Sequence, residues 1–262
     1  MTDALRFTEE RLTRPQSQLL TVSTTLRHFA LVTYAVDPER LQGLLPARFV
    51  PDCIQDASGV SRALVSVVPF LDVDFRFARC PWPAFTFGQT NYRAYVRDRV
   101  TGEHVVWFFG TCLDSWSVLV PRYAWKLPWQ HGRIRFECDY AAGDKHYRSY
   151  HMATRSRWAP AELELEDSGD APRVLPGYSS LESGLVHLTH PLRGVFLRRD
   201  GRFGTYSIWH ARLAPTVGVC RHARFPLLDK LGLVPLDNQT VTHSVLLQHE
   251  TDFTIYLPPH PL

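Results

Sequence analysis

The sequence predicts an α+β fold that is mainly antiparallel β, with a few short helices set against a sheet that closes on itself. Three observations predict it. Many short runs rich in β-branched and aromatic residues are separated by turn residues. Stretches of helical period are few and brief. The segment 89–110, QTNYRAYVRDRVTGEHVVWFFG, reads as two strands joined by a polar turn at Asp98, Arg99, Thr101 and Gly102. One domain over 19–262, behind a leader of residues 1–18, accommodates them, and no internal repeat is present.

Taken in order, the leader MTDALRFTEERLTRPQSQ is charged and lacks an apolar signal core, so it reads as a loose segment or a short helix. Residues 19–36 are β-prone. Asp37-Pro38-Glu39 then supplies an N-cap, a proline at the first helical position and an acid in the first turn, and Pro46 ends this short helix. A loop at 52–59 precedes a strand at 63–73, where Pro69 marks an edge or a bulge. Residues 76–83 read as a loop before the central hairpin, and 112–123 as the place of a short helix capped by Asp114 or Ser115. Strands follow at 133–140 and 146–157. In the first, Arg133, Arg135, Glu137 and Asp139 alternate with Ile134, Phe136, Cys138 and Tyr140, one wet or ion-paired face against one buried face. Residues 166–177 form the most polar, turn-rich loop. Beyond it come a helix near 180–188, a hairpin turning at Asp200-Gly201 with a strand through 207–210, a short helix at 225–231, and strands at 241–249 and 253–257.

At 262 residues and 45% hydrophobic, the chain is long enough to bury a sizeable core. The net charge of +3 is small and its basic residues are spread along the chain, so nucleic-acid binding is not indicated. No apolar run approaches the roughly 20 residues of a membrane helix, and no membrane partner is expected. Five scattered cysteines without a CxxC pair fit reduced thiols and a cytoplasmic location. Only Lys126, Lys145 and Lys230 supply lysine chemistry.

In the central hairpin Gln89, Asn91, Arg93 and Tyr95 share one face. The partner strand has no wet side, since Val105, Trp107 and Phe109 line one face and Val106, Phe108 and Gly110 the other. A guanidinium, amides and a phenol beside a buried strand point to a polar-lined cavity, and arginine can hold a carboxylate with paired hydrogen bonds. On the hairpin alone the simpler reading is that the face lies in water or in an internal ion pair.

Several fragments in order resemble a known group: VDPERLQGLLP, VSVVPF, NYRAYV, VVWFFGTCLD and a late hairpin ending in His210. The group is the uncharacterised YqjF-like family, related to acetoacetate decarboxylase, and the resemblance covers roughly Leu26 to Leu257. It implies a cone-shaped or barrel-like antiparallel sheet around a small-molecule cavity, often in a homo-oligomer. Acetoacetate decarboxylase forms an imine through a lysine that follows a proline in a G-Y-P-K-K segment. Here the similar segment is Lys126-Leu127-Pro128-Trp129-Gln130, so Trp129 and Gln130 stand at the two lysine positions. The strand FTFGQTNYRAYV also lacks the glutamate placed near that lysine.

The resulting expectation is a lyase-type enzyme, a decarboxylase, dehydratase or cyclase, acting on a small carbonyl or carboxylate ligand with no lysine imine and no cofactor. The alternative is a non-catalytic binding protein on the same scaffold. Arg93 is expected to hold an acid or enolate oxygen, with Asn91, Tyr95, Gln89, Trp129 and Gln130 around the ligand. His210 and His28 are the candidate proton carriers, each of which also reads as a hydrogen-bonded core histidine. Lys126 reads as a solvated loop lysine or as a displaced imine-former. The pairs His187/His190 and His146/His151 lack carboxylate or cysteine partners at ligand spacing, so no metal is expected. There is no G-x-S-x-G elbow and no phosphate loop. Asp114, Glu137 and Asp139 are read as counter-charges to nearby arginines.

Overall fold

The computed structural model describes residues 5–116 and 119–262. In chain order its strands are β1 (Val22–Val36), β2 (Phe49–Pro51), β3 (Ile54–Gln55), β4 (Ser61–Phe77), β5 (Cys80–Asp98), β6 (His104–Leu113), β7 (Trp129–His131), β8 (Arg133–Ala141), β9 (His146–Arg155), β10 (Ala161–Asp167), β11 (Arg193–Leu197), β12 (Phe203–His210), β13 (Thr216–Arg224) and β14 (Ser244–Pro261). The helices are short: α1 (Glu9–Leu12), α2 (Pro38–Gln42), α3 (Leu119–Ala124), α4 (Leu181–Thr189) and α5 (Pro226–Lys230). None is long and apolar enough to cross a membrane.

Seven strands make a ring in the order β1-β4-β5-β6-β11-β12-β14, and β14 pairs back with β1 to close it. The β6–β11 step is parallel and the other ring pairings are antiparallel. A second arm leaves β14 in the order β13-β10-β9-β8. It lies over the outside of the ring. Ring strands are therefore covered on both faces, which is why they read as near-continuous apolar runs. Leu26, Leu31, Leu64, Val68, Val106 and Phe108 point inward to one core. Ala30, Val32, Val65, Tyr92 and Trp107 point outward and pack with Tyr150, Met152 and Leu163 of the second arm.

Local chemistry explains the corners. Asp37 caps α2 by accepting from the Glu39 amide at 2.8 Å, with Pro38 in the first turn. The β5–β6 turn is held by buried Asp98, whose carboxylate takes the Val100 amide at 2.9 Å and Arg48 through both Nε and Nη2.

Several boundaries differ from the expected ones. The loop expected at 76–83 is largely strand, because β4 and β5 continue as a long hairpin in which Phe75 pairs with Phe85. The last two expected strands are one, β14. β10 and β13 were not expected. The first, AELELED, alternates buried and exposed without fault, but it abuts the polar stretch after 166. The helix of the 112–123 region is α3, and residues 117–118 of that region lie outside the described residues, as do residues 1–4 of the leader. The leader itself carries α1 and rests on the ring: Trp209 Nε1 donates to the Leu12 carbonyl at 3.2 Å, and the Tyr256 hydroxyl to that of Pro15 at 2.9 Å.

Candidate active site

Inside the ring lies a small cavity of about 60 Å³. That is room for about four to six waters, or a metabolite of comparable bulk. Its walls are mainly apolar, with Phe29, Phe70, Phe108 and Phe253 among them, and one polar track crosses them. The track is Gln89, Asn91 and Arg93 on the inner face of β5.

A β-bulge sets the geometry. Tyr92 pairs with Gly110 and Arg93 with Phe108, so Phe109 is the extra residue. The slip lets Thr111 and Phe108 of β6 both face inward. Thr111 Oγ1 donates to Asn91 Oδ1 at 2.8 Å and Gln89 Nε2 donates to the same oxygen at 3.0 Å. With its oxygen engaged twice, Asn91 has Nδ2, a pure donor, left for a ligand.

Arg93 is buried at 8% exposure. Its Nη2 donates to the Leu188 carbonyl at 2.9 Å and to the Tyr95 hydroxyl at 3.3 Å. Leu188 is in the last turn of α4, where carbonyls lack helical partners and the helix dipole is negative, so a guanidinium is a favourable partner. Tyr95 also meets that carbonyl, at 3.0 Å, and Ser66 Oγ at 3.0 Å. No carboxylate pairs with Arg93 among the described residues, and its Nε is buried without a partner. A buried cation without a counter-charge is costly unless a ligand supplies one.

Sequence reasoning missed Asp72. It lines the cavity on β4 at 1% exposure, and among the described residues only Thr24 Oγ1, 3.1 Å from Oδ1, bonds its side chain, while Oδ2 is buried without a partner. Burial pushes its pKa up to about 7, with Thr24 opposing. Its signal in the sequence was an aspartate inside an apolar strand, ALVSVVPFLDV.

The remaining candidates are dispersed. His210 lines the cavity and stacks on Phe253, but Nδ1 faces the Ala211 carbonyl at 2.7 Å and Nε2 that of Thr189 at 2.9 Å. Burial lowers its pKa against those two carbonyls. His28 sits at a positive-φ position on β1 and turns away from the cavity, with Nδ1 3.2 Å from the Tyr147 hydroxyl and its ring stacked on Phe136. Trp129 lines the cavity, whereas Gln130 lies outside it with Oε1 accepting from Arg122 at 2.6 Å. Lys126 is half-buried in the loop before β7, again with positive φ, and is not part of the cavity wall.

A second polar cluster stands behind α4. Buried Asp52 accepts from His104 Nδ1 and from Arg97 at 3.3 Å, and its Oδ2 lies 3.2 Å from His187 Nε2, off the axis of a good hydrogen bond. His187 Nδ1 meets the Tyr178 hydroxyl at 2.7 Å. Burial alone would raise the Asp52 pKa; His104 and His187 outweigh it and hold the carboxyl well below the usual range. Glu137 and Asp139 lie 3.6 Å from Arg135 and Arg148 on the surface, and Asp114 accepts from the Ile134 amide.

The mostly antiparallel sheet, its ring of strands and its few short helices match the acetoacetate decarboxylase-like fold. The acetoacetate decarboxylase of Legionella pneumophila superposes with a TM-score of 0.59 at 12% identity, over 95% of this chain and 91% of that one. An acetoacetate decarboxylase-like enzyme from Sphingomonas wittichii RW1 gives 0.59 at 12%, over 94% of each chain. The enduracididine biosynthesis enzyme MppR, solved with pyruvate, gives 0.55 at 13%, over 95% and 92%. At such identity the likeness is one of fold. The chain itself belongs to the DUF2071 family, described as uncharacterized conserved protein (COG2071), whose model matches residues 23–250. No curated protein matches it by sequence.

Proposed function

We propose that this protein is a lyase-type enzyme acting on a small carbonyl or carboxylate metabolite without a lysine imine. The observation that carries the reading is the Arg93 guanidinium, buried in the cavity wall with Nε unbonded and no protein carboxylate beside it. A ligand carboxylate or enolate oxygen supplies the missing charge. Asn91 Nδ2 orients a second oxygen, Tyr95 fixes the guanidinium from behind, and Trp129, which the resemblance sets at a lysine position of acetoacetate decarboxylase, walls the site.

Among the described residues none that lines the cavity is a lysine, which supports non-covalent chemistry. Incubation with β-keto acids and borohydride is expected to leave the intact mass unchanged; an adduct on Lys126, lost in Lys126→Ala, would restore imine chemistry. Calorimetry with a panel of small keto acids and carboxylates tests binding directly, and a panel without a binder sinks the reading. The engagement of both His210 nitrogens by carbonyls favours a second reading, a binding protein without chemistry. Turnover or proton exchange of a bound keto acid separates the two.

A further inference from the structure

We infer that Asp72 is the proton-transferring group of this cavity, serving a keto acid long enough to reach from Gln89 to Arg93; the inference rests on the carbonyl-and-carboxylate reading above. Asp72 is walled by Leu26, Phe70 and Phe75, and no described cation pairs with it. Its one side-chain partner is shared: the Thr24 hydroxyl lies 3.1 Å from Asp72 Oδ1 and 3.1 Å from the Val73 carbonyl, and it has a single hydrogen to give. Oδ2 is buried and has no partner among the described residues, in a residue that lines the cavity wall. A carboxyl that fully desolvated has both protonation states accessible near neutrality, the condition for an acid–base catalyst.

The register joins it to the polar track. Asp72 pairs with Phe87 and Phe70 with Gln89, so Gln89 is the diagonal neighbour of Asp72 on the inner face. Gln89 Nε2 donates one hydrogen to Asn91 and has a second to give. A carbonyl held there and at Asn91 Nδ2 places its neighbouring carbon toward Asp72. Gln89 and Arg93 are four positions apart, about 13 Å along a strand. A ketone and a carboxylate adjacent to one another do not bridge that distance; several carbons must lie between them, and the apolar wall of Val68, Phe70, Phe108 and Ile208 suits such a spacer.

The step is enolisation. Ionised Asp72 takes the proton from the carbon beside the ketone, the C–H pair becomes the C=C bond, and the carbonyl π pair moves to oxygen, which the amides of Gln89 and Asn91 hold. Once the proton on Asp72 has been replaced by a solvent deuteron, its return to carbon restores the ketone and the Asp72 carboxylate, and the carbon has exchanged hydrogen for deuterium.

The test uses the full chain and 6-oxoheptanoate in deuterium oxide, with proton NMR reading the hydrogens beside the ketone and calorimetry reading affinity. Wild-type protein is expected to speed exchange about a hundredfold or more over buffer. Asp72→Asn is expected to return it to the buffer rate with affinity changed less than about threefold. Thr24→Val, which keeps the carboxyl and removes its hydrogen bond, is expected to slow exchange about tenfold. Pyruvate is too short and should not exchange. Wild-type exchange in Asp72→Asn, or binding of 6-oxoheptanoate to wild type without exchange, overturns the role of Asp72 and leaves the ligand reading standing, provided Arg93→Gln abolishes binding. Pyruvate exchanging as fast as 6-oxoheptanoate overturns the length. Failure of wild type to bind either probe overturns inference and reading together.

Discussion

Arg93 and Asp72 lie on the same cavity wall, yet their protein partners treat them differently. Arg93 is held from behind by the α4 carbonyl of Leu188 and by Tyr95, which fixes its direction. Arg93→Lys places a point charge where a planar fork was, and is expected to weaken an acidic ligand about tenfold to a hundredfold by calorimetry. Asp72 has almost nothing holding it, and that has a signature in stability. Its carboxyl is raised to about 7 in the fold, so the native state binds more protons than the unfolded chain between about pH 4 and pH 7, and stability declines across that window as pH rises. Asp72→Asn is therefore expected to stabilise the fold above pH 7, by about 4 kcal/mol at most, with much less gain near pH 4 in denaturant titrations. Asp52 has the opposite sign. It is held below its unfolded value, so its contribution is complete above about pH 4 and is lost as pH falls further. Asp52→Asn is expected to cost about 3–5 kcal/mol at pH 7, the toll of stranding buried His187 and half-buried His104, with the gap to wild type closing in acid.

At the scale of single elements, β5 and β6 show what the sequence makes legible. Period-two alternation was enough to put Gln89, Asn91, Arg93 and Tyr95 on one face and to assign Trp107 to a core, because alternation is a property of the strand itself. Trp107 packs against Phe49 and Phe203 outside the ring, and Trp107→Ala is expected to cost about 3–5 kcal/mol by thermal or denaturant unfolding. The bulge at Phe109 was not legible. It depends on which partner residues face each other, and only the register reveals that Phe108 and Thr111 share the inner side. Asp72 escaped for a related reason: one aspartate at the end of an apolar run looks like the end of a strand, and β4 continues to Phe77 only because β5 is there to pair with it. His28 and His210 were placed by residue type, whereas their neighbours decide what each nitrogen can do. Gly194 shows how tightly these elements meet. A methyl group there would come within 2.5 Å of the Phe108 ring, so Gly194→Ala is expected to press that ring into the cavity and weaken ligand binding while the fold survives, a change that calorimetry reads.

For the molecule as a whole, ring closure is the organising event. β1 and β14 pair along Val22–Thr33 and Ser244–Ile255, a contact between residues more than two hundred positions apart, so the cavity forms only with long-range pairing. A chain ended before Ser244 is expected to show no cooperative unfolding transition, because both the inner and the outer core lose a wall.

The two-sided burial of the ring strands also restricts how such a chain can diverge. Along β5 the residues facing the cavity interleave with Thr90, Tyr92 and Ala94, which face the outer core. Inserting or deleting one residue ahead of Arg93 would exchange the two sets, driving the guanidinium into the outer core and the Tyr92 ring into the ligand space. Length changes through this stretch should therefore be lethal to fold and site alike, whereas substitutions among the cavity-facing residues of β5 keep the register and act on the ligand. Descendants of such a scaffold change their chemistry by trading side chains at fixed positions, and place their insertions in the turns.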